Sequence, residues 1–110
     1  MQRSKEFFTQ DFKTKVIYIT KHIPHGKVTT YGTVSTLAGV PRAARMVGGI
    51  LHFYSDEFNL PWQRVINRQG FISTRCENHL RDEQKELLEM EGIEVNDDFM
   101  IDLEKYGWWG

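Results

Sequence analysis

The sequence predicts one mainly α, winged-helix-like domain spanning residues 1–110, with a helix-turn-helix and a very short β-element. Three observations carry that expectation. A chain of 110 residues is the size of one domain. Apolar residues recur at helical spacing in several stretches, whereas only two short segments read as extended. Two of the helical stretches are joined by a glycine-containing turn, which fits a helix-turn-helix and equally an ordinary helical hairpin with its alanines packed inside.

The elements follow in order. Ser4–His22 reads as a helix, with Phe8, Phe12, Val16 and Ile19 on one side and lysines between them. Pro24 and Gly26 end it. Thr29 or Thr30 can cap a second, short helix reaching about Ala38, because a hydroxyl accepts an orphan backbone N–H. Gly39 suits the left-handed residue that closes it. Pro41 suits the first turn of a third helix, running through Arg42–Val47 towards His52. Leu60–Ile66 reads as a buried extended segment, Asn67–Gly70 as a turn, and Phe71–Ile72 as a short returning strand. A helix over Glu77–Glu91 should turn Leu80, Leu87, Leu88 and Met90 inward and stop at Gly92. The tail, Val95–Gly110, is acidic and then aromatic, and is expected to strap onto the domain.

Composition narrows the function. No apolar run is long enough to span a membrane, and residues 1–15 lack the apolar stretch of a signal peptide. The cytoplasm is the expected compartment. The only cysteine, Cys76, excludes an internal disulfide and a multi-cysteine zinc site. Cys76 with His79 supplies two metal ligands at most, too few for structural zinc, and His22, His25 and His52 show no ligand spacing. No metal and no cofactor are expected. The net charge of −1 conceals a division. Residues 1–75 hold 11 bases and 4 acids, a net of +7; residues 76–110 hold 3 bases and 11 acids, a net of −8. This fits a basic surface for a polyanion beside a separate acidic surface, and equally two solvated faces that attract each other.

Three ordered stretches are specific: Ile23-Pro24-His25-Gly26-Lys27-Val28-Thr29-Thr30-Tyr31-Gly32, Ala43-Ala44-Arg45-Met46-Val47-Gly48-Gly49, and Pro61-Trp62-Gln63-Arg64-Val65-Ile66-Asn67. Together, across about residues 5–92, they resemble the DNA-binding domain of the O6-alkylguanine-DNA alkyltransferases. Those enzymes read Pro-Cys-His-Arg in the third stretch, where the cysteine thiolate takes the alkyl group and the histidine helps to form it. Here Trp62 and Gln63 stand in those places. An indole has no comparable nucleophile, and a neutral amide is no general base. A tryptophan at this position is similar to the alkyltransferase-like proteins, which bind O6-alkylguanine and hand it to nucleotide excision repair. Two other departures stand out. Phe53-Tyr54-Ser55 replaces the family's Asn-Pro hinge, and Ile72-Ser73-Thr74-Arg75-Cys76 replaces its glycine-rich loop.

The resemblance implies roles residue by residue. Tyr31 would crowd a phosphate and help turn the nucleotide out. Arg45 would enter the base stack as a finger, its planar guanidinium both stacking and donating hydrogen bonds. Ala43, Ala44 and Gly48 would let the recognition helix approach the groove. Trp62 would wall the pocket, the Val65 carbonyl would accept from the guanine amino group, and Arg75 would lie against the base or Trp62. Glu91 resembles the glutamate that orients the family's histidine. The expected partners are duplex DNA containing O6-alkylguanine and nucleotide-excision-repair proteins, with the protein acting as a non-enzymatic monomer away from membranes. Two alternatives remain at this stage: a sequence-specific helix-turn-helix regulator, which would be a dimer on a palindromic site, and an active alkyltransferase using Cys76.

Overall fold

The computed structural model describes residues 11–72 and 81–110. Among these, α1 spans Phe12–Lys21, β1 Thr29–Thr30, α2 Tyr31–Leu37 and α3 Ala44–Phe58. A 3-10 turn at Trp62–Arg64 leads into β2, Val65–Ile66, followed by α4, Arg81–Met90, and α5, Leu103–Tyr106. The fold is mainly α with one two-stranded sheet, as the sequence predicts.

The first helix begins later than its periodicity suggests. Asp11 has an extended backbone, and its carboxylate accepts from the Thr14 N–H at 2.8 Å. An N-cap in that conformation starts a helix, so α1 begins at Phe12; Ser4–Gln10, Phe8 among them, lie outside the described residues. Thr30 is the cap of α2, its hydroxyl accepting from the Thr33 N–H at 3.1 Å. Gly39 takes φ +89°, the left-handed conformation expected at the end of α2. The third helix departs from expectation at both ends. Pro41 lies in the turn rather than in the helix, and Arg42 there holds φ +67°. The helix then runs past His52 to Phe58, where Asn59 closes it in a left-handed conformation. Phe53-Tyr54-Ser55 is therefore helical and forms no hinge.

Leu60–Ile66 is not one extended strand. The Arg64 N–H donates to the Pro61 carbonyl at 3.0 Å, winding Trp62–Arg64 into the 3-10 turn. Only Val65 and Ile66 pair, in parallel, with Thr29 and Thr30. Adjacent strand residues face opposite sides. Val65 accordingly enters a core built from Val16 and Ile19 of α1, Ile23, Val34 of α2, and Val47 and Leu51 of α3. Ile66 enters a second core with Val28, Ile72, Leu88, Ile93, Ile101 and Tyr106. In α4, Leu88 is buried and Leu87 half-buried, but Met90 is 77 % exposed, contrary to the inward position expected of it. Its neighbour in the chain, Glu91, turns inward instead. Leu80 lies outside the described residues.

Phe71–Ile72 closes the turn, with the Phe71 carbonyl accepting from the Asn67 N–H at 3.4 Å and the Phe71 N–H donating to Asn67 Oδ1 at 2.9 Å. It pairs antiparallel with the tail: the Ile72 N–H donates to the Phe99 carbonyl at 2.9 Å, and the Ile101 N–H to that of Gly70 at 2.8 Å. The tail is the strap that its composition suggests. The Val28 N–H donates to the Tyr106 carbonyl at 2.9 Å, and the Trp108 N–H to the Val28 carbonyl at 2.7 Å. Gly107 lies between these bonds and leaves no space for a side chain. A Cβ there would lie 2.6 Å from Trp109 Cζ2 and would meet the Leu103 carbonyl oxygen. Gly107→Ala is therefore expected to cost about 1–3 kcal/mol, the range for forcing a methyl into packed structure. Urea denaturation reads the loss, and hydrogen exchange should show it as faster exchange of the Val28 and Trp108 amides.

Candidate nucleic-acid interface

The helix-turn-helix is formed by α2 and α3. Tyr31 opens α2 and is half-buried against the first core. Arg45 sits in the first turn of α3 and is exposed. Gly48, one helical turn after Arg45, is half-buried, and a Cβ there would stand 3.9 Å from the Tyr31 ring. The phenol and the recognition helix are thus in register, with the arginine reaching out from the same end of α3. Ala43 is only 8 % exposed, so its methyl packs inward as the residue before α3; among the small residues expected at a groove, Ala44 and Gly48 keep part of their surface open.

A carboxylate just after α4 gathers two segments, the turn that ends at Gly26 and the 3-10 turn at Gln63–Arg64. Glu91 is 8 % exposed. Its Oε1 accepts from the Gly26 backbone N–H at 2.8 Å and from Arg64 Nε at 2.9 Å. Its Oε2 accepts from Gln63 Nε2 at 2.9 Å. Arg64 Nη1 in turn donates to the Ile23 carbonyl at 2.8 Å. The first and third specific stretches of the sequence meet here, at the residue after α4. Burial pushes the Glu91 pKa upward. The Gly26 N–H, the Gln63 amide and the Arg64 guanidinium more than offset that and hold it below the usual glutamate value.

Trp62 begins the 3-10 turn and is half-buried. The residue following it, Gln63, spends an amide hydrogen on Glu91. In place of a thiol beside an imidazole, the site presents an indole beside a fixed amide. Neither group supplies a nucleophile or takes up a proton near neutral pH. Val65 is buried in β2, and its carbonyl accepts from Gln84 Nε2 at 3.2 Å; the same amide reaches the Gln63 carbonyl at 3.0 Å. Gln84 is only 2 % exposed. The sequence reading missed it, although a signal was present: it lies one helical turn before Leu88, on the inward side of α4. Arg75, Cys76 and His79 lie outside the described residues. His22, His25 and His52 are exposed, and no group of three or more metal-ligating side chains occurs among the described residues. No helix among them is long and apolar enough to cross a membrane.

Known proteins resemble this arrangement. Residues 11–93 match the family model for the 6-O-methylguanine DNA methyltransferase DNA-binding domain. The DNA base-flipping protein of Escherichia coli K12 is 44 % identical over 107 residues, which cover 97 % of this chain and 81 % of that protein. Alkyltransferase-like protein 1 of Schizosaccharomyces pombe is 38 % identical over 102 residues, 89 % of this chain and 94 % of that protein. The crystal structure of S. pombe Atl1 in complex with damaged DNA containing O6-carboxymethylguanine superposes with a TM-score of 0.79 at 37 % identity. It covers 97 % of this chain and 98 % of that one.

The Glu91 cluster has a pH signature. A glutamate whose folded pKa is depressed contributes stability above its unfolded pKa and loses it as pH falls through the folded value. Stability should therefore decline on acidification below about pH 4.5, as the unfolded chain begins to take up a proton that folded Glu91 resists. Glu91→Gln should flatten this acid limb. Glu91→Ala should cost about 3 kcal/mol at neutral pH by leaving Arg64 without its carboxylate. Urea titrations of the three proteins from acid to neutral pH test both expectations.

Proposed function

The chain belongs to the alkyltransferase-like family of DNA-binding proteins, and on that premise we propose that it recognises O6-alkylguanine in duplex DNA by flipping the nucleotide into a pocket, without chemistry. The observation that carries this reading is Trp62 beside a Gln63 amide held by Glu91: the supporting frame of the site stands, and this stretch carries neither a thiol nor an imidazole. The names of the relatives support the same reading, since one is a DNA base-flipping protein and another an alkyltransferase-like protein.

In this reading Arg45 enters the stack where the guanine leaves, and Tyr31 crowds the adjoining phosphate so that the backbone rotates. These two side chains offset the few kcal/mol that unstacking costs. Ala44 and Gly48 permit close approach of α3. The extruded base rests against Trp62, with its amino group donating to the Val65 carbonyl that Gln84 holds in place. Arg75 takes the alkylated edge. Binding, rather than turnover, is then the output. The proposal extends to a monomer in the cytoplasm that hands the marked lesion to nucleotide excision repair.

A titration with matched duplexes, one carrying O6-methylguanine and one plain guanine, is the direct test; equal affinity for the two would sink the proposal. No methyl group should pass from labelled O6-methylguanine DNA to the protein. Trp62→Cys alone should remain a poor transferase, because Gln63 cannot act as its base. Arg45→Ala should weaken binding to different O6-alkylguanines by similar factors and lower the signal of a base-analogue fluorophore that reports flipping. Affinity should also fall steeply with salt despite the net charge of −1, because the basic half of the chain faces the phosphates. A flat salt titration would contradict that arrangement.

A further inference from the structure

An open groove of about 550 Å³ flanks the helix-turn-helix. Thr30, Gly32, Thr33 and Thr36 line one side, the Pro41–Arg42 turn another, and Trp109 of the tail a third. Trp109 is 53 % exposed. Part of its ring lies against Gly107, close enough that a Cβ there would stand 2.6 Å from Cζ2. The indole is therefore seated against the backbone of the strap while much of its surface meets solvent. Arg42 is exposed and holds a left-handed backbone at φ +67°. That conformation is costly for an arginine, and glycine would adopt it freely.

The groove combines one cation, Arg42, and the Thr33 and Thr36 side chains with apolar surface from Leu37, Pro41 and Trp109, while the buried Thr30 hydroxyl is already spent on capping α2. Its residues neighbour in the chain those assigned to DNA: Thr30, Gly32 and Thr33 flank Tyr31, and Arg42 precedes Arg45 by three residues. Arg42 belongs to the basic half of the sequence, which suits a polyanion. We propose that this groove seats the sugar–phosphate backbone of the strand flanking the flipped nucleotide. Arg42 pairs with a phosphate, and Trp109 packs on a deoxyribose. The inference rests on the DNA-binding reading and adds to it a contact made by the C-terminal strap. Its contribution is indifferent to the lesion, because backbone contacts position a protein on DNA without reading the base.

Arg42→Gly is the decisive variant, since it removes the charge while relieving the left-handed strain, so that lost binding cannot be attributed to unfolding. It should lower the magnitude of the log affinity–log salt slope by about one. The loss of affinity should be equal for O6-methylguanine and plain guanine duplexes. Trp109→Ala should weaken both several-fold with the slope unchanged, and flipping at saturation should stay at the parent level in both variants. Lys105→Ala removes the same charge from the acidic half and should leave the slope unchanged. Shortening the duplex so that neither flank reaches the groove should abolish the difference between parent and Arg42→Gly. A persistent difference on the short duplex would overturn the local contact. If both variants bind with the parent's affinity and slope, the groove serves something else, such as a protein, and the proposal fails while the DNA reading stands. A parent protein that binds no duplex would remove the DNA reading itself.

Discussion

The arrangement depends on one carboxylate. Glu91 takes hydrogen bonds from the Gly26 turn, from Gln63 and from Arg64, and Arg64 continues to the Ile23 carbonyl. Without that charge, the turn preceding β1 and the 3-10 turn preceding β2 would each present half-buried donors that have lost this acceptor. The two-residue strands are too short to hold these segments together by ladder bonds alone. Charge-assisted bonds are roughly twice as strong as neutral ones, and here they converge where the sheet is least extensive. The position of Trp62 relative to the helix-turn-helix follows from this clamp more directly than from the sheet.

The clamp also separates two roles that a single glutamate can play. In an alkyltransferase, by resemblance, the corresponding glutamate orients a histidine that makes a thiolate. In this chain the carboxylate still orients the next side chain, but that side chain is an amide. The electrostatic demand is unchanged: a buried negative charge needs donors, and Gln63 provides one as an imidazole would. Retaining the carboxylate is thus a requirement of packing, independent of catalysis. The loss of chemistry lies in two adjacent side chains, Trp62 and Gln63, while their supports remain.

Much of the helical framework was legible in the sequence because its signals are local. Thr30 capping α2, Gly39 closing it and Gly92 following α4 each act within a few residues. The strap was legible from its aromatic residues. What escaped the sequence depends on partners distant in the chain. Thr29 and Thr30 were read only as caps, since nothing local announces that they pair with Val65 and Ile66. Phe71 closes its turn locally on Asn67, but its bridge partner, Met100, lies in the tail. Met90 looked inward by periodicity, but α4 ends there and Glu91 takes the interior place. Asp11 was unremarkable in a lysine-rich helical pattern, yet its cap sets where α1 begins. In the candidate site, Tyr31, Arg45 and Trp62 were found by resemblance. Gln84 was not, because its function is to reach backbone carbonyls that no motif marks.

The division of β2 between two cores has a consequence for how the molecule folds. Val65 completes the cluster of α1, α2 and α3, and Ile66, its neighbour, begins the cluster beneath α4 and the strap. Thr29 and Val65 are 36 residues apart in register, so their pairing must close a loop that contains α2 and α3. Loop closure lowers chain entropy before the contact repays it. The local helical hairpin forms at smaller entropic cost, and docking β2 onto it places Ile66 ready to nucleate the second cluster. The strap is tied to both clusters, since Tyr106 lies in the second and Trp108 packs against the first. The segment that holds Trp109 therefore has its full set of contacts only when both clusters are in place, which couples the strap to the helix-turn-helix through the packing of Trp108.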